Sequence, residues 1–81
     1  MKLTADRPPR ITAARVGSLR LWLDRSPALV LACCSCRWRR PTRTDRAGWA
    51  AAVYHLRVYH DDEPAALRLE SIARQQLTRN R

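Results

Sequence analysis

All three cysteines of this chain fall between Cys33 and Cys36, and its only two histidines are His55 and His60. That clustering restricts the fold more than any other feature. An 81-residue chain buries a small core, and domains of this size commonly add a disulfide, a metal or a partner chain to the stability that packing supplies. Cysteines so close together cannot close a loop of useful length, and an odd number leaves one over, so a disulfide framework is disfavoured. A metal or a second chain remains.

The expected organisation is α+β: a β-hairpin over about 18–34, helices over about 45–60 and 64–78, and a zinc-stapled ββα-like core, all in one domain spanning 18–81. Residues 1–17 read as a disordered basic arm, because Pro8-Pro9 favours extended backbone and Gly17 closes the segment. In Ser18–Asp24, Leu19, Leu21 and Leu23 alternate with polar residues and Trp22, a strand pattern. Asp24-Arg25-Ser26-Pro27 supplies turn residues, and Ala28 to about Cys34 is a second strand. Arg37 to Arg43 reads as a basic connector containing Pro41. Thr44 or Asp45 can cap a helix on which Trp49, Val53, Leu56 and His60 share a face, with Ala52 and Tyr59 beside it. Asp61-Asp62-Glu63-Pro64 ends that helix and starts another, striped by Ala65, Leu69, Ile72 and Ala73, with Leu77 at its edge.

The residues with metal chemistry form Cys34-x-Cys36, eighteen intervening residues, then His55-x4-His60. A structural zinc ion takes four such ligands in a tetrahedron, often two thiolates and two imidazoles. Two thiolates neutralise the ion, so binding buries no net charge, and it couples to folding. On an ideal helix His55 and His60 point about 140° apart, so both reach one ion only if the helix loosens or ends near Tyr59. One residue separates the cysteines where two to four are usual. Cys33 continues the apolar run and fits a buried strand end, or replaces one of the other two as ligand. Asp61 and Asp62 lie near enough in sequence to accept a proton from a ligand imidazole. Trp38 and Trp49 flank the cluster and suit packing around it.

The stretch Cys34-Ser35-Cys36-Arg37-Trp38, Gly48-Trp49-Ala50-Ala51-Ala52 and His55-Leu56-Arg57-Val58-Tyr59-His60 resembles the short zinc-finger-like proteins of actinobacteria, and more loosely the ββα Cys-Cys-His-His zinc finger. The resemblance covers residues 34–60 and implies that Cys34, Cys36, His55 and His60 are the ligands. The longer gap between the pairs and the helix after Pro64 depart from a DNA-reading finger.

Charge points to partners. The chain has 16 basic and 7 acidic residues, a formal charge of +9. Fifteen of the basic residues are arginine, which a GC-rich coding bias also favours. Arginine-rich surfaces attract phosphate by charge and by bidentate geometry. Arg37, Arg39, Arg40, Arg43, Arg46 and Arg57 are the expected contacts to DNA or RNA. The alternative is a protein adaptor or self-association through the 64–78 helix. The longest apolar run, Ala28 to Cys34, is far short of the ~20 residues that span a bilayer. The N-terminus shows no apolar signal region, and a reducing cytoplasm is the expected location. With two glycines there is no phosphate-cradling loop, and no constellation indicates an enzyme.

Overall fold

The structure is a computed structural model, and it describes residues 12–79. Four strands, β1 (Thr12–Val16), β2 (Leu19–Arg25), β3 (Val30–Cys34) and β4 (Arg39–Thr42), precede helices α1 (Asp45–Val58) and α2 (Glu63–Arg79). The strands form one antiparallel sheet in the order β1-β2-β3-β4. The α+β class, the β2–β3 hairpin and both helices agree with the sequence reading, and the hairpin is extended by a strand on each side.

Those two strands correct two expectations. Thr12–Val16 lies within the segment expected to be disordered, yet it pairs along its whole length with β2, from Thr12 opposite Leu23 to Val16 opposite Leu19. Its alternation is carried by small residues: Ala14 and Val16 are buried between Ala13 and Arg15, so the strand signal is faint in the sequence. Gly17, with φ +63°, occupies the first position of the two-residue turn into β2, where primed hairpin turns need positive φ. The remainder of the expected arm, 1–11, lies outside the described residues. The second correction is Arg37–Arg43, read as a connector. Arg39–Thr42 pairs with β3, placing Pro41 opposite Leu31. Proline is accepted there because β4 is an edge strand and its outer side needs no ladder donor.

One face of the sheet carries Leu21, Leu23, Val30, Ala32 and Cys34, all buried beneath the helices. α1 lies over β3 and β4, and α2 packs on α1 and β1. Trp49, Ala52, Val53 and Leu56 of α1 and Ala65, Ala66, Leu69 and Ala73 of α2 complete the core, with Ile72 and Leu77 at its margin. The α2 stripe expected from the sequence is therefore spent inside the chain's own core. Thr44 caps α1, its hydroxyl accepting from Ala47 N–H at 3.0 Å. Gly48 brings α1 close to the sheet: a Cβ there would stand 2.8 Å from Leu23 Cδ2. Arg25 of β2 pairs with Asp45 at the start of α1, tying helix to sheet. No helix among the described residues is long and apolar enough to cross a membrane.

Candidate metal centre

The β3–β4 connection has the form of a three-residue hairpin loop. Cys34 N–H donates to the Trp38 carbonyl (3.0 Å), Arg37 N–H donates to the Cys34 carbonyl (2.9 Å), and Arg37 takes φ +79°. A loop of three residues ending in a left-handed residue is a common hairpin solution. Here it sets Cys34 at the core-facing end of β3 and Cys36 in the loop. Ser35 between them is stitched to β2. Its N–H donates to the Arg20 carbonyl (2.8 Å), and its hydroxyl accepts from Arg20 N–H (3.1 Å). The single residue between the cysteines is thus the anchor that holds their loop against the sheet.

The histidines come from the far end of α1. The helix ends at Val58, with Tyr59 N–H donating to the His55 carbonyl (2.8 Å). Asp61, at φ +51°, then turns the chain back, and Asp62 N–H donates to the Leu56 carbonyl (3.2 Å). Because the helix has ended before His60, the 140° separation of a continuous helix does not apply, and the two imidazole Nε2 atoms lie 3.2 Å apart. Tyr59, expected beside the apolar face, is instead 71% exposed because the helix has already ended.

Cys34, Cys36, His55 and His60 meet at one point, their ligand atoms all within 4.8 Å of one another. Cys36 Sγ is 3.1 Å from His55 Nε2. A tetrahedral zinc ion, with bonds of about 2.0 Å to nitrogen and 2.3 Å to sulfur, separates its ligand atoms by about 3.3–3.8 Å. The group can hold a metal ion. The contacts at His55 favour this over a hydrogen-bonded cluster. An imidazole nitrogen presents one N–H or one lone pair, yet Nε2 of His55 faces both Cys36 Sγ and His60 Nε2 at bonding distance. One hydrogen bond cannot serve both partners, whereas a cation at the centre serves all of them.

Burial is uneven across the four. Cys34 and His55 are buried, His60 is half-buried and Cys36 is exposed, so the cluster opens to solvent on the Cys36 side. Burial pushes the Cys34 thiol above its ordinary value, and burial followed by the charge of neighbouring His60 pushes His55 down. His55 is only 3% exposed. Trp38 is the reason: its ring stacks on the imidazole at 4.2 Å and 14°. Sequence periodicity cannot show this cover, because the tryptophan arrives from the hairpin loop. Trp49 packs in the core, as expected.

Three other expectations are resolved. Cys33 points to the opposite sheet face, with its Sγ 3.9 Å from Asp24 Oδ2, so it stands apart from the cluster. Asp62 accepts from Ala65 N–H (3.1 Å) at the start of α2, and Asp61 is exposed. Neither serves a ligand imidazole, and His55 Nδ1 is buried without a hydrogen-bond partner.

The six arginines do not form one surface. Arg37, Arg39, Arg40 and Arg43 follow the hairpin loop, β4 and the link to α1, with Arg46 in the first turn of α1, and all five are exposed. Among the described residues, no carboxylate lies within ion-pair distance of these five. Arg40 and Arg43 flank a groove between β4 and α1 that includes Thr42, Ala47, Ala51 and Tyr54. Arg57 is separate: it donates to both oxygens of Glu63 (2.6 and 3.1 Å) and approaches Glu70 at 3.8 Å. Its charge is shared with those two acids, which sets it apart from the other five.

Comparison of the chain with protein-family models, curated proteins and solved structures finds no match.

Proposed function

We propose that the chain is a small zinc-stapled, non-enzymatic module that binds nucleic acid through phosphate contacts along its β4 edge. The observation that carries the metal half is the convergence of two thiols and two imidazoles from segments eighteen residues apart. Two soft and two borderline donors in tetrahedral reach suit zinc over the oxygen-seeking divalent ions. Four protein ligands leave no position for water, which is the arrangement of structural rather than catalytic zinc. A reducing, cytoplasmic setting keeps the thiols available as ligands. For the nucleic-acid half, the support is the run of exposed arginines Arg37, Arg39, Arg40, Arg43 and Arg46, none of them within ion-pair distance of a carboxylate among the described residues, beside the Cys-bearing loop. The adaptor reading is weaker, because the apolar stripe of α2 is already buried on α1 and β1.

Native mass spectrometry of protein purified under reducing conditions tests the metal, with circular dichroism before and after chelation. The expected result is one zinc per chain, lost together with ordered structure. No metal, with a chelator-insensitive fold, would remove the ligand assignment. Titration with duplex and single-stranded DNA at increasing salt tests the partner. Phosphate contacts give affinity that falls linearly on a log–log plot, and Arg40→Ala/Arg43→Ala weakens it for both forms of DNA.

A further inference from the structure

The face of the sheet turned away from the helices carries a pattern the β4 edge does not. Paired residues in an antiparallel ladder project to the same side, so the register defines rows across this face. The middle row is Ala13, Trp22, Cys33 and Arg39. On one side of it Arg15 stands directly opposite Arg20; on the other lie Asp24, Leu31 and Pro41. Trp22 therefore sits mid-sheet with arginines on two of its sides and, among the described residues of these rows, one acid, Asp24. Arg15, Arg20 and Arg39 are exposed. A directly opposed pair of like charges destabilises a sheet, and among the described residues neither Arg15 nor Arg20 has a carboxylate within ion-pair distance. The guanidinium of Arg20 rests over the Trp22 ring at 6.0 Å, the outer limit of a cation–π contact. This loose cover can give way to a flat ligand.

We propose that this helix-free face binds single-stranded nucleic acid, with a base stacked on Trp22 and neighbouring phosphates held by Arg15, Arg20 and Arg39. An aromatic platform flanked by cations is the general solution for single strands, because every base has a stacking face and only a single strand offers it freely. A duplex keeps its bases stacked and meets only the arginines. The face is coupled to the metal centre through Ser35, which bonds the backbone of Arg20 on both its N–H and its carbonyl. This inference rests on the nucleic-acid reading above and narrows it to a surface and a strandedness.

The test uses the full zinc-loaded chain and fluorescein-labelled thymidine oligomers of about 20 nucleotides, single-stranded or annealed to adenosine, read by anisotropy. Trp22→Ala is expected to weaken single-strand binding about tenfold, within the range for loss of one stacked base, and to leave duplex binding unchanged. Trp22→Phe is expected to restore most of it. Should Trp22→Ala fail to hold zinc or fold, Arg15→Ser/Arg20→Ser answers the same question. It should lower the magnitude of the single-strand salt slope by about 1.4, for two phosphates lost. Single-strand binding unchanged in these variants but lost in Arg40→Ala/Arg43→Ala overturns the platform and leaves the broader reading standing. Failure of the wild-type chain to bind either oligomer at low salt overturns both.

Discussion

The two ends of this molecule are held by different physics. Where Leu23, Trp49, Leu56 and Leu69 meet, sheet and helices are joined by apolar side chains almost wholly removed from water. Where the β3–β4 loop meets the end of α1, the joining groups are two thiols and two imidazoles, one of them exposed. Apolar contacts are many, weak and tolerant of small shifts. Four ligands around one ion are few, strong and directional. The β3–β4 loop and the end of α1 are where the sequence concentrates its cysteines and histidines.

Four measurements break or sharpen this contrast. The largest effect is expected from Cys34→Ser, which should abolish zinc retention in native mass spectrometry and lower the unfolding free energy by more than any single core truncation, since metal binding is folding free energy in small domains. A variant melting like the wild type would show that packing alone holds the loop. Leu69→Ala should cost about 2–5 kcal/mol in denaturant unfolding while retaining one zinc per folded chain. Expulsion of the metal would mean that the two ends are a single cooperative unit. Gly48→Ala should destabilise by about 1–2 kcal/mol. The new methyl meets Leu23 in a filled core, and this outweighs the gain of about 1 kcal/mol in helix propensity. Arg37→Gly should be the smallest and opposite in sign, stabilising by about 0.5–1 kcal/mol by relieving the left-handed backbone at φ +79°.

Acidity separates the ends as well. Burial and His60 hold the His55 imidazole below its ordinary 6.5, so as pH drops the unfolded chain takes up a proton before the folded one. The stability that depends on a neutral His55 is present in full above pH 6.5 and is lost as pH falls below it. Protons would compete with a bound metal for the same imidazole in that direction too. Thermal melts of the zinc-loaded chain from pH 8 to 5 should show falling stability, and the loss of zinc should be traceable by mass spectrometry over the same range. Leu69→Ala should melt lower at every pH without changing the shape of that profile.

Much was legible in the residues themselves. Alternating Leu19, Leu21 and Leu23 and the apolar run to Cys34 marked the central hairpin, and the helix stripes marked α1 and α2, because side-chain periodicity is a local property of the chain. The group that could hold a metal was legible for a related reason: thiols and imidazoles are rare, and their clustering is visible without a fold. What the sequence hid depends on partners distant along the chain. Thr12–Val16 becomes a strand because β2 supplies its ladder, and its small inward residues leave a weak pattern. Arg39–Thr42 becomes the opposite edge despite Pro41 because β3 is beside it.

The sequence by itself determined which groups are present to bind a metal and which segments favour strand or helix, since both follow from residue chemistry and short-range spacing. Tertiary structure decided how they meet. The end of α1 at Val58 let His60 come onto His55, and Trp38 crossed from the hairpin to stack on the His55 imidazole. Pairing with Glu63 and Glu70 removed Arg57 from the free cations, and the sheet register set Trp22 among Arg15, Arg20 and Arg39. Each of these is a contact between atoms that only the closed fold brings within reach, and its energy exists only after the chain has folded.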